Sequence, residues 1–167
     1  MKKILLAFGL LVSTLSYAQQ EIKLDIGDVL IVKNLEFSYE NYITESSSFG
    51  ISASFNLKDQ DADFRYHENT MITPYYRNYF STNEAWNFFG EAFLGINSGK
   101  NEITDSADTI TGYDKYTDAA LGIAVGTKYI TESGLTIDVH AGIGRNLFGS
   151  DSPTLVPRLG VNIGWRF

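Results

Sequence analysis

The sequence predicts an all-β chain, an eight-stranded antiparallel up-and-down transmembrane β-barrel. Three observations carry that expectation. Segments of alternating apolar and polar residues recur eight times, the links between them alternate between short and long, and a short apolar segment with a basic start precedes them all. Alternating side chains give a strand two different faces, which suits a wall with lipid outside and a polar lumen inside. Beyond the first residues no segment approaches the length of a membrane-spanning helix, so closed strands are the only spanning structure left.

The elements follow in order. Lys2 and Lys3 form a basic region, Ile4 to Leu15 an apolar one, and Ser16-Tyr17-Ala18 a small-residue cleavage site, the layout of a secretory signal peptide. The apolar run falls short of the roughly 18 residues that a spanning helix needs. Residues 1–18 are therefore expected to be removed and residues 19–167 to form one domain. The chain has no cysteine, hence no lipid-anchoring thiol and no disulfide, and its stability must come from the fold. Its net charge of −7 argues against nucleic acid as a partner, because phosphates would be repelled.

The first expected strand, 22–31, points Lys23 and Asp25 inward. The second, 34–43, does the same with Glu36 and Glu40. In the third, 49–58, Phe49, Ile51, Ala53, Phe55 and Leu57 oppose Gly50, Ser52, Ser54, Asn56 and Lys58. The fourth, 70–80, is less clean, with Ile72, Pro74, Tyr76, Asn78 and Phe80 outward and Tyr75, Arg77 and Tyr79 inward. The fifth, 86–97, carries Trp86 outward and Phe89 and Glu91 inward. The sixth, 118–130, sets Ala119, Leu121, Ile123, Val125 and Tyr129 against Gly122, Ala124, Gly126 and Lys128. In the seventh, 135–146, Leu135, Ile137, Val139, Ala141 and Ile143 oppose Thr136, Asp138, His140, Gly142 and Gly144. The eighth, 155–167, ends with Leu159, Val161, Ile163, Trp165 and Phe167 on one parity and Gly160, Asn162, Gly164 and Arg166 on the other.

Links 44–48, 81–85 and 131–134 are short, whereas 59–69, 98–117 and 147–154 are longer and polar. Bacterial barrels have short periplasmic turns and long outer loops, so the short links are expected on the periplasmic side. The link near Val32 and Lys33 is too short for an ordinary outer loop, and the strand boundary around 28–34 is the one the pattern fixes least.

Eight strands enclose an interior just wide enough to be filled by side chains. The inward positions supply Lys23, Arg77, Lys128, Arg158 and Arg166 against Asp25, Glu36, Glu40, Glu91 and Asp138. Such a balance is what a closed lumen requires, since buried charges are costly unless paired. Turn geometry places Lys128 opposite Asp138 and Arg77 close to Glu91. Inward glycines 122, 126, 142, 144, 160 and 164 leave room for Tyr75, Arg77, Tyr79 and Phe89, so a plugged lumen is expected rather than a pore. Phe49, Phe80, Trp86, Tyr129, Trp165 and Phe167 fall near the short turns and form the expected periplasmic aromatic girdle.

Candidate chemistry is sparse. A hydrolase would need a nucleophile within reach of a base that a carboxylate orients. His140 has Asp138 nearby, but no serine or cysteine follows at short spacing. Residues 59–63 resemble the opening of a calcium loop, yet Phe64 stands where the turn glycine belongs and Thr70 where the bidentate Glu belongs. No catalytic residue, cofactor or metal site is assigned. The acidic loop 98–117 suits weak cation-bridged contact with lipopolysaccharide, and Tyr66, Tyr113, Tyr116 and Phe148 are either recognition anchors or packing groups.

The terminal strand ending on Phe167 resembles the one by which outer-membrane β-barrels are recognised for assembly. Leu35-Glu36-Phe37-Ser38-Tyr39-Glu40, Thr73-Pro74-Tyr75-Tyr76-Arg77-Asn78-Tyr79-Phe80 and the glycine-rich last three strands are similar to the small OmpA/OmpX-like barrels. The likeness is greater still to a family of uncharacterised outer-membrane barrels of about this size. In that family an Arg often follows the Tyr-Glu pair, where this chain has Asn41. The resemblance implies a bacterial outer-membrane protein, surrounded by membrane lipid and lipopolysaccharide and handled by the barrel-assembly machinery. Adhesion, recognition of an extracellular ligand, or envelope integrity would be its role. A lipid-modifying acyl hydrolase or transferase is the alternative; one such deacylase family carries a His-x-Ser pair, which His140-Ala141-Gly142 and His67-Glu68-Asn69 lack. No peptidoglycan-binding domain is expected after the last strand.

Overall fold

A computed structural model describes residues 19–31, 33–57, 68–81, 86–104, 110–149 and 152–167. Eight strands form a closed antiparallel barrel in chain order, β1 pairing with both β2 and β8. They are β1 (Gln20–Asp25), β2 (Asn34–Thr44), β3 (Ser47–Asn56), β4 (Glu68–Tyr79), β5 (Trp86–Thr104), β6 (Ile110–Ile130), β7 (Leu135–Asn146) and β8 (Leu155–Arg166). Among the described residues one helix, α1 (Ile26–Ile31), interrupts the meander after β1. The expected signal segment and most of the 59–69 loop, His67 included, lie outside the described residues.

Alternation sorts the side chains as the sequence suggests. Ile123, Val125 and Leu121 on β6 are 69%, 67% and 59% exposed, while Ala120 and Ala124 on the opposite parity are buried. Phe49, Ile51 and Phe55 of β3 and Ile72 and Tyr76 of β4 continue this exposed apolar belt around the ring. A belt so large and continuous is a surface made for lipid rather than water. Phe49, Phe80, Trp86, Trp165 and Phe167 are all exposed on it, and Tyr129 packs against Trp86 with ring centroids 5.1 Å apart.

Short turns close one end. Glu45 and Ser46 link β2 to β3, and Thr131–Gly134 link β6 to β7 through a turn in which Gly134 donates its N–H to Thr131 O at 3.0 Å. Gly134 has φ +93°, and a Cβ there would sit 2.7 Å from Arg166 O, so neither backbone nor space admits another residue easily.

Two expectations are corrected. The strand expected over 22–31 stops at Asp25, because Asp25 caps a helix: its Oδ1 accepts the N–H of Asp28 at 2.9 Å, as an N-cap carboxylate does. Ile26, Val29 and Leu30 repeat at helical rather than strand spacing. The chain then turns into β2 through Lys33, whose φ of 56° is the left-handed conformation that commonly ends a helix. The second correction concerns 98–117, expected to be a loop. Strands β5 and β6 continue through it to Thr104 and Ile110, because Thr, Tyr and Ile among its polar residues favour strand.

The helix has a topological effect. Beyond Asp25 and Asn162, β8 no longer has β1 beside it. Helix α1 covers that gap, with Gly27 close against the Val161 side chain and Asp28 accepting from Asn34 Nδ2 at 3.2 Å. Phe167 and Val161 donate their N–H groups toward β1, to Gln20 O at 2.9 Å and Asp25 Oδ1 at 3.3 Å. Pro157 has the same parity, so the N–H that proline lacks belongs to the side where β1 has ended, the place where a strand tolerates proline.

Candidate functional site

Among the described residues the buried ion pairs gather in the lumen, and their centre is Glu40. That carboxylate accepts from Lys23 Nζ, from Lys128 Nζ at 3.0 Å and from Arg77 Nη1 at 3.3 Å. The hydroxyls of Ser48 at 2.6 Å and Tyr79 at 2.5 Å also donate to it. Asp138 forms a second node, receiving Lys23 Nζ at 3.0 Å, Arg77 Nη1 at 2.6 Å and Asn162 Nδ2 at 3.1 Å. Glu91 accepts from Arg77 Nε at 2.7 Å and Arg158 Nε at 2.6 Å. Arg158 reaches Glu36 at 3.5 Å.

Most of these side chains are essentially removed from solvent. Desolvation of so many charges is tolerable because each has several charge-assisted hydrogen bonds. Aromatic faces add to this: the Arg77 guanidinium lies 4.1 Å from the Phe89 ring centroid and 4.8 Å from that of Tyr75.

The structure redistributes the expected pairs. Arg77 and Glu91 are cross-strand neighbours and bond directly. Lys128 and Asp138 are neighbours too, yet Lys128 points to Glu21 and Glu40 while Asp138 takes Lys23 and Arg77. Asp25 leaves the expected ion-pair network: its Oδ1 caps α1, and its buried Oδ2 has no hydrogen-bond partner among the described residues. Glu21, not anticipated, takes a place in it. It is fully buried and holds Lys128 Nζ at 2.8 Å and Arg166 Nη2 at 2.5 Å. Its parity with Lys23 and Asp25 is the available signal, but the expected strand, 22–31, starts two residues after the observed one at Gln20 and leaves Glu21 out.

Apolar groups close the lattice on both sides. Toward the short turns, Tyr42 and Tyr79 stack at 5.5 Å beside Phe89, and Arg166 lies 4.4 Å over Tyr42. A vestibule of about 300 Å³ below them ends at these rings. Toward the long hairpins, Met71, Tyr75, Phe93, Ala120 and Val156 pack together. Glycines make the room, since a Cβ on Gly122 would lie 2.3 Å from Phe93 Cζ and one on Gly126 2.5 Å from Phe89 Cζ.

His140 is buried with Nδ1 3.2 Å from Asp138 Oδ1. Its hydrogen-bond neighbours among the described residues are Asp138 and Asn162, neither of them a serine or cysteine. No group of three or more His, Cys, Asp or Glu side chains among the described residues is arranged to hold a metal.

At the long-hairpin rim Asp118 organises the segment before β8. It accepts from the N–H groups of Ala119, Phe148 and Gly149 at 2.7, 2.9 and 2.7 Å, and from the Ser152 hydroxyl. Phe148 is thereby held 81% exposed, while Tyr116 is buried inside the barrel rather than displayed at a loop tip. Tyr66 and the side chain of Tyr113 lie outside the described residues.

No protein-family model and no curated protein sequence matches the chain. Solved structures do. The N-terminal β-barrel domain of Pseudomonas aeruginosa OprF superposes with a TM-score of 0.64 at 13% identity, over 89% of this chain and 97% of that one. Neisserial surface protein A gives 0.57 at 12%, over 90% and 96%. Ail, the attachment invasion locus protein of Yersinia pestis, gives 0.51 at 11%, over 90% and 99%. With its closed ring, filled lumen and apolar exterior, the chain has the OmpA/OmpX-like fold of small eight-stranded outer-membrane β-barrels.

Proposed function

We propose that this protein is a non-enzymatic barrel of the bacterial outer membrane, exported through a cleaved segment at residues 1–18, that works through its outer surface in adhesion, recognition or envelope integrity. The observation that carries this reading is the sealed lumen. Cross-braced charges around Glu40 lie between two clusters of buried aromatic and aliphatic side chains, which among the described residues fill the lumen across its axis. What remains available to a partner is the long-hairpin end, where Asp118 fixes an exposed Phe148. The structural likeness to Ail, whose name states attachment and invasion, is compatible with such a surface role.

The short turns and both chain ends then face the periplasm, and Phe49, Phe80, Trp86, Tyr129, Trp165 and Phe167 serve as its interfacial girdle. A serine- or cysteine-hydrolase role is disfavoured by His140, whose described polar contacts, Asp138 and Asn162, include neither residue type. Two measurements test the reading. Planar bilayers containing the purified protein are expected to stay electrically silent, and stable open channels would refute the sealed lumen. A cysteine at Ala107, in a chain that otherwise has none, is expected to react with an impermeant reagent on intact cells. Failure under conditions that label a known surface loop would refute the orientation.

A further inference from the structure

We propose that the outward face of β4, β5 and β6 at the long-hairpin end seats one phosphorylated, acylated sugar lipid, the lipid A part of lipopolysaccharide. The inference rests on the outer-membrane reading above and names a partner for that surface.

The strand registers stack three chemically distinct tiers on this face. In the first, Ile72 lies opposite Ile96, with Ala53 and Ala119 as their outer neighbours. Two isoleucines flanked by alanines leave a trough, and the structure has a cavity of about 370 Å³ there, lined also by Phe55. In the second tier, Thr70, Ser98 and Thr117 stand side by side, the Thr70 and Ser98 hydroxyls 2.8 Å apart. In the third, Lys100 lies directly opposite Lys115.

That last pair is the telling feature. Like charges directly opposite each other on one face of a sheet are destabilising, and this chain is acidic overall, at −7. Lys115 is exposed and Lys100 half-buried, so an anion has access to both. Each tier is two residues from the next, roughly 7 Å along a strand, about the length of one sugar ring. An acyl chain in the trough would therefore bring a sugar to the hydroxyls and its phosphate to the lysines. A glycerophospholipid lacks the intervening ring, and its phosphate would fall at the hydroxyl tier instead.

The test uses the full barrel folded into phosphatidylcholine nanodiscs, with ¹³C-labelled isoleucine methyls as reporters in the trough. Bis-phosphorylated lipid A, added as a rising fraction of the lipid, is expected to shift the Ile72 and Ile96 methyl signals saturably. Each lysine near an anionic lipid headgroup contributes about fivefold in affinity, so Lys100→Ala with Lys115→Ala is expected to weaken the response roughly 25-fold. Dephosphorylated lipid A should lose affinity similarly on the unaltered protein, which checks the result without any substitution. An equal response to phosphatidylglycerol at matched phosphate content overturns the assignment to lipid A, because any anionic lipid would then suffice. A non-saturable shift, or one unaffected by both the double substitution and phosphate removal, overturns the site. A protein that does not enter the bilayer overturns the outer-membrane reading and this inference with it, whereas one that inserts without the shift overturns this inference alone.

Discussion

Replacing Glu40 by Gln removes one negative charge from the middle of the lumen while keeping the side chain's shape. Breaking a buried ion pair by removing one partner costs about 3–5 kcal/mol, because the other charge is left uncompensated. Glu40 serves three cations, yet each keeps another anion: Lys23 keeps Asp138, Arg77 keeps Asp138 and Glu91, and Lys128 keeps Glu21. The expected loss is therefore about 3 kcal/mol, the lower end of that range, rather than three times it. Arg166→Gln supplies the contrast. Its side chain is 17% exposed and Glu21 retains Lys128, so the loss should be about 1 kcal/mol. Adding Lys128→Met to Glu40→Gln restores neutrality and leaves Glu21 paired with Arg166, so the double variant should regain at least half of the loss. Reversible urea unfolding in lipid vesicles measures all three, followed by the fluorescence of Trp86 and Trp165 and by the gel mobility of the folded barrel. A Glu40→Gln loss no larger than that of Arg166→Gln, or a double variant no more stable than Glu40→Gln alone, would refute the charge-lattice argument.

Ile123→Arg places a cation on a side chain already 69% exposed. It should cost about 2–4 kcal/mol in a bilayer, where a water-exposed site would tolerate it, and near-neutral unfolding energetics would contradict a lipid-facing wall. Gly134→Ala should destabilise by about 1–3 kcal/mol, given φ +93° and the 2.7 Å approach of Arg166 O; an unchanged urea midpoint would show that the turn relaxes freely. Asp25→Ala removes the cap of α1 and should cost about 1 kcal/mol, with Asp25→Ser recovering most of it. Equal losses in the two variants would assign Asp25 a role other than capping.

Much of the architecture was legible because one face of each strand meets lipid and the other the lumen, which forces a period of two. The seventh strand was read with the ends that the structure gives it, Leu135 and Asn146, since clean alternation and a turn glycine bound it. Asp25 to Ile31 defeated that reading, because Ile22, Leu24 and Ile26 continue the period of two into a segment whose later residues follow a helical one. The ion pairs were legible as a set of inward residues but not as partners. Lys23 reaches Asp138, and Lys128 reaches Glu21 and Glu40, across the lumen on strands that do not pair with their own. At the outer end, polarity was mistaken for loop in 98–117, although a strand above a membrane has no need of an apolar face.

The truncated first strand also decides where this ring is weakest. Five residue pairs join β1 to β8, from Glu21–Arg166 to Asp25–Asn162, against eleven between β7 and β8. Local opening starts where the fewest cooperative hydrogen bonds must break together, so amide exchange should breach the barrel first along β1. The same short zipper is the last joint a growing barrel must fasten, and a segment as small as Gln20–Asp25, with α1 folded by its own cap, is enough to fasten it.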